Sequence, residues 1–132
     1  MSCSKLIPLA SLFAALADTT RLRLLNLMAG REVCVCYFVE ILDQSQPKIS
    51  RHLAYLRNTG IVAARRDGKW MHYSICPTVD PQASSLLASV LHLLTSDKQM
   101  RADRIKLDRA CCAPQKLVAL VGAPSPAPSK TP

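Results

Sequence analysis

The alternation of apolar and polar positions divides the chain into helical stretches, with one short β-type interlude. Leu9, Leu12, Phe13 and Leu16 recur at helical spacing and predict a helix over 6–17. Alanine fills its remaining faces, and a helix apolar nearly all round is buried on more than one side, which points to a subunit interface. Asp18 is placed to cap a second helix, Thr19 to Met28, with Leu22, Leu25 and Leu27 inward, Arg21 and Arg23 in water, and Gly30 as its stop. Residues 32–42 read as a third helix, and Asp43 and Gln44 form a tight connection into a fourth. In that fourth helix Ser45 is the N-cap, Pro47 sits in the first turn where a missing N–H costs nothing, and Gly60 supplies a left-handed stop. Its Ile49, Leu53 and Leu56 share one face. Two short helices joined by such a turn make a helix-turn-helix. Residues 61–66 and 70–75 are β-type runs around the turn dipeptide Asp67-Gly68. Asp80-Pro81 then opens the last helix, whose Leu86, Leu87, Val90, Leu91, Leu93 and Leu94 form a stripe too wide for one seam. From Ser96 to Arg109 that helix turns polar.

The predicted architecture is mainly α with a small β-hairpin: a winged helix-turn-helix, dimerising with a second copy through the first and last helices. Residues 1–112 are expected to form the DNA-binding and dimerisation domain. From Pro114 on, five of the nine prolines fall among Ala and Ser, so 113–132 is expected to be a disordered tail.

Charge sharpens this picture. The net charge is +8, and between Lys48 and Lys69 six cations (Lys48, Arg51, Arg57, Arg65, Arg66, Lys69) face one acid, Asp67. That is an electrostatic footprint for a polyanion. Gln46, Lys48, Ser50, Arg51 and His52 put amide, hydroxyl and cationic donors in the first two turns of the fourth helix, where a recognition helix meets base edges and phosphates. Gln44 and Ser45 lead into it. A basic hairpin directly after such a helix is a wing, whose Arg65, Arg66 and Lys69 are placed for phosphates or a minor groove. The partner implied is double-stranded operator DNA. No apolar run approaches the ~20 residues of a membrane span, and no signal peptide is evident, so a cytoplasmic protein with six reduced thiols is expected.

Cys34 and Cys36 stand out. Inside a helix, residues two apart diverge and could not share one ligand, whereas in extended or distorted backbone they share a face. A thiophilic ion binding both would then oppose helix formation beside the recognition helix and lower DNA affinity. The competing reading is two small buried hydrophobes. Cys111-Cys112 could bind a soft ion or do nothing, Cys76 reads as structural, and His92 reads as a packed imidazole. The Cys-x-x-Cys arrays of a zinc finger are absent.

Several of these stretches resemble one family. Glu32-Val33-Cys34-Val35-Cys36 is similar to the Glu-Leu-Cys-Val-Cys signature of ArsR-type arsenic-responsive repressors. Residues 42–53 resemble their recognition segment, Gly68 to Tyr73 their wing, and Ala14 to Arg23 their opening. Four motifs in the right order, over about residues 6–95, make the likeness specific. It implies a homodimeric repressor of an arsenic-resistance operon, released by trivalent arsenic (arsenite) or antimonite, with no organic cofactor and no catalytic residues. Cys34 and Cys36 are then effector ligands. The best-known members carry a third thiol where this chain has Val39. The resemblance therefore implies either a two-coordinate site or one completed by Cys111 or Cys112, a pair that could also serve methylated arsenicals. The residue pairs of the zinc-sensing branch are missing. Alternatives are a thiol redox-sensing repressor, an architectural DNA binder and, in another class, a small thiol enzyme or metallochaperone. The last leaves the basic helix and wing without a purpose, and no catalytic constellation supports an enzyme.

Overall fold

The computed structural model describes residues 6–76, 80–112 and 122–128. Among these, six helices pack around a small antiparallel sheet, in the order α1 (Leu9–Leu16), α2 (Thr19–Met28), β1 (Arg31–Cys34), α3 (Val35–Leu42), α4 (Gln46–Thr59), β2 (Val62–Asp67), β3 (Trp70–Ile75), α5 (Pro81–Leu94), α6 (Lys98–Cys112) and β4 (Ala127–Pro128). The sheet order is β2-β3-β1-β4. This is a winged helix-turn-helix.

Helix boundaries follow from local chemistry. Pro8 occupies the N-cap of α1 and delays the helix to Leu9. The Asp18 carboxylate accepts the backbone N–H of Arg21 and starts α2, as expected from the sequence. Asp43 ends α3 in the left-handed region, at φ 54, which Asp tolerates better than most residues. That single residue makes the helix-turn-helix corner tight, and Ser45 immediately caps α4 by accepting the N–H of Lys48. Gly60, at φ 101, ends α4, and its N–H together with that of Ile61 returns to the Leu56 carbonyl.

Three expectations are corrected. Residues 31–34 are a strand, not the start of a helix: β1 pairs with β3, Val33 opposite Tyr73 and Cys34 opposite His72. Pairing with β3, a strand about 40 residues further on, holds this stretch extended. The hairpin turn sits one residue later than expected. Asp67 pairs with Trp70, leaving Gly68 and Lys69 as the loop, with positive φ at Gly68 alone, the pattern of a II′ turn. The helix from Pro81 is not the last. It stops at Leu94, and α6 begins after Asp97, whose carboxylate accepts the Met100 N–H.

The core gathers Leu12, Leu24, Leu25, Leu27, Met28, Val33, Phe38, Ile41, Ile49, Leu53, Leu56 and Leu107, all buried. The three apolar residues of α4 are 0% exposed, and burying each stabilises its docking by about 1.5–3 kcal/mol. Helix α6 docks on α2 through Arg23, which grips the buried Asp103 at 2.7 and 3.0 Å, and through Asn26, which donates to the Met100 carbonyl. Arg21 caps the end of α1 by donating to the Ala14 and Ala15 carbonyls and stacks on Tyr55 at 4.1 Å. Neither arginine stays in water as expected, because Arg21 meets the carbonyls at the end of α1 and Arg23 the buried carboxylate of Asp103. Leu6, Leu9 and Phe13 on the α1 side and Leu93 on α5 remain exposed. Most of the expected disordered tail lies outside the described residues. Of the part described, Ala127–Pro128 pairs along β1, opposite Arg31 and Glu32.

Candidate thiol site and DNA-reading surface

Cys34 closes β1 and is the N-cap of α3, with extended backbone (φ −70, ψ 143). Cys36 is the second residue of α3. A strand-to-helix junction thus places the two side chains together where an uninterrupted helix would part them. The Cys36 S–H donates to the Cys34 sulfur at 3.4 Å. The expected mechanism, in which ligand capture must unravel a helix to bring the thiols together, is therefore corrected: convergence is already built into the fold.

The surroundings polarise the pair. The Cys36 S–H lowers Cys34 to about 6 against the opposing effect of burial, and the backbone N–H groups of Cys36, Val35 and Met71 help. The same shared proton, burial and the neighbouring Cys34 charge push Cys36 up. Near neutrality the dyad holds one proton, and Cys34 is the thiolate. Cys34 is fully buried and Cys36 partly exposed, so an arriving ion meets Cys36 first.

Tyr37 lies beneath the pair, fully buried. Burial first, then the Cys111 sulfur, with Cys36 and Cys34 adding, raises its phenol. Its hydroxyl is sealed from solvent, and the Ser125 side chain opposes the rise. Cys111, in the last turn of α6, is a partly buried cysteine in this neighbourhood, brought there by the Arg23–Asp103 contact 80 residues apart in sequence. Among the described residues no three His, Cys, Asp or Glu side chains cluster closely enough to hold a metal ion. The side chain of Cys112 lies outside the described residues. Two further readings are corrected. Cys76 is disulfide-bonded, so not all six cysteines are reduced as expected. His92 is exposed on α5, not packed, because the helix turns that position away from α2.

On α4, Gln46, Lys48, Ser50 and Arg51 are exposed along one face opposite Ile49, Leu53 and Leu56. Ser45 and the wing residues Arg66 and Lys69 are exposed too. Three residues placed with them by sequence have intramolecular partners. Gln44 exchanges hydrogen bonds with Thr20 of α2. His52 turns toward Asp18 and Arg21; burial, and the cations Arg21, Lys48 and Arg51, lower its pKa despite Asp18. Arg65 is clasped by Glu32 at 2.7, 3.1 and 3.2 Å. Sequence reasoning missed these contacts, as it missed Tyr37 and Asp103. The polarity of Asp103 on an otherwise apolar helix stripe was the only available signal.

Known proteins are similar to this chain. Residues 18–64 match the model of the bacterial regulatory protein arsR family. The arsenical resistance operon repressor of Escherichia coli is 47% identical over 85 residues, 64% of this chain and 72% of the relative. The chain belongs to the ArsR family. An arsenic resistance transcriptional regulator of Pseudomonas putida is 40% identical over 108 residues, 81% of this chain and 83% of that protein. Among solved structures, HlyU from Vibrio cholerae, 26% identical, superposes with a TM-score of 0.57 over 64% of this chain and 88% of its own. This ArsR-family protein is thus a DNA-binding transcriptional regulator by family, and no described helix is long and apolar enough to cross a membrane.

Proposed function

We propose that this regulator represses an arsenic-resistance operon as a homodimer and leaves its operator when trivalent arsenic or antimony binds Cys34 and Cys36. The observation that carries the reading is the sulfur pair 3.4 Å apart at the head of α3, the helix leading into α4. Two sulfurs already in contact can be bridged by one thiophilic centre without unwinding α3. The relatives named for arsenical and arsenic resistance support the same effector.

The chemistry balances on the shared proton. Arsenous acid, As(OH)3, meets one thiolate and one thiol, and with one further proton from water gives the dithiolate As–OH plus two water molecules. Two As–S bonds form, two As–O bonds break, and no electrons change hands. A third thiol, from Cys111 or Cys112 at the end of α6, displaces the last hydroxide as water. Gln46, Lys48, Ser50 and Arg51 read base edges and phosphates, with Ser45, Gln44 and His52 fixing the entry of α4. Arg66 and Lys69 place the wing on the backbone. The exposed Leu6, Leu9, Phe13 and Leu93 supply the subunit contact, so half-sites are expected about one helical turn, or a multiple, apart.

The test is arsenite titration of the protein on its own upstream DNA, with Cys34, Cys36, Cys111 and Cys112 each changed to Ser. Release that is lost in the first two variants, with DNA binding intact, supports the site. Release unaffected in both removes it. Indifference to arsenite combined with release by peroxide would make the dyad a redox sensor.

A further inference from the structure

Glu32 is the charged member of the Cys-x-Cys signature, and neither the thiol chemistry nor the DNA surface uses it. It precedes Cys34 by two positions on β1, hence on the same face of the sheet. Across that face the register runs Cys34, His72, Arg65 over strands β1, β3 and β2. From β2 the Arg65 guanidinium reaches back over β3 and closes on both oxygens of Glu32 at 2.7–3.2 Å. The Glu32 side chain is only 14% exposed. Directly after Arg65 come the exposed wing residues Arg66, in β2, and Lys69, in the hairpin loop. The Cys34 sulfur is itself tied to the wing, since it accepts the backbone N–H of Met71 in β3.

We propose that Glu32 and Arg65 are the residues that couple the thiol site to the wing, their ion pair fastening the root of the hairpin to the strand that ends in Cys34. Arg65 on this view positions the wing rather than binding phosphate. The inference rests on the function proposed above. When a metalloid takes the Cys34 sulfur, the Met71 N–H loses its acceptor and the end of β1 is drawn toward the ligand. The Glu32–Arg65 clasp conveys that displacement to β2, and the cations at the wing tip leave the position that suits DNA. A coupling of this kind exists only if the two states differ in a contact both ligands sense, and the clasp is such a contact.

The experiment compares operator affinity with and without saturating arsenite for the full-length wild type and for Glu32→Gln. Arsenite binding is followed separately by its thiolate absorbance. Glu32→Gln is expected to bind arsenite as the wild type does, and its operator affinity is read as the ratio with and without arsenite, so that a change in the arsenite-free state cancels. Its loss of affinity on adding arsenite should shrink by about tenfold, out of the 5–150-fold range typical of allosteric coupling. Exchanging the charges, Glu32→Arg with Arg65→Glu, should restore much of the response, which a merely structural role would not do. If Glu32→Gln fails to fold, Arg65→Met breaks the same pair and should show the same reduced ratio. An unchanged ratio in either folded variant overturns the proposal while leaving the effector assignment standing. A wild type indifferent to arsenite overturns the effector assignment and the coupling together.

Discussion

Asp103 offers the sharpest test of how α6 is held near the thiols. Its carboxylate is 0% exposed and takes three donors: Arg23 Nε at 2.7 Å, Arg23 Nη2 at 3.0 Å and Gln99 Nε2 at 2.9 Å. Changing it to Ala strips the guanidinium of its partner. Removing one member of a buried pair typically costs about 3–5 kcal/mol. Arg23 retains 16% exposure and can turn toward water, and Ala is the better helix former, so the net loss should be about 2 kcal/mol. Urea denaturation at one fixed protein concentration measures it, since stability of an oligomer depends on concentration. With an m-value near the middle of the usual range the midpoint should fall by about 1 M. Arg23→Met alone should cost a similar amount, and the double variant little more than either single one. As α6 loosens, Cys111 should react faster with a thiol reagent while operator binding is preserved, because α4 and the wing do not rest on α6. A loss below about 0.5 kcal/mol, or costs that simply add in the double variant, would refute the claim that this pair docks α6.

Other predictions concern the site itself. Arg51→Ala should weaken operator binding by about 1–3 kcal/mol in a mobility-shift or anisotropy titration; equal affinity removes that residue from the reading face. Arg21→Met removes two donors from the α1 carbonyls and the stacking on Tyr55, and should cost about 2 kcal/mol in denaturation. The Cys34 thiolate sets a pH dependence. Above pH of about 6 the free dyad has lost a proton that the neutral arsenic adduct requires, so binding takes one up and affinity should fall about tenfold per pH unit from there toward 9. Below that value both thiols are protonated and the slope should vanish; calorimetry in buffers of different ionisation enthalpy counts the proton. Cys36→Ala removes the S–H donor, and Cys34 alkylation should then titrate well above 6.

Local, short-range chemistry accounts for the elements that could be read along the chain. Ser45, Pro47 and Gly60 delimit the recognition helix, Asp18 and Asp80 start two others, and the basic hairpin follows directly, because caps, turns and apolar periodicity act within a few residues of where they are written. The same is true of the four motifs that mark the family. The tertiary structure decided everything that depends on a distant partner. Residues 31–34 are extended because β3, about 40 residues away, pairs with them, and that strand-to-helix change is what makes Cys34 and Cys36 converge. Arg23 finds Asp103, Arg65 finds Glu32, and Arg21 finds the end of α1 only after the chain has folded back on itself. A charged side chain carries no local sign of which opposite charge it will meet. The sequence named the thiols, and the fold decided that they meet, because the strand-to-helix junction puts Cys34 at the N-cap and Cys36 in the first turn of α3.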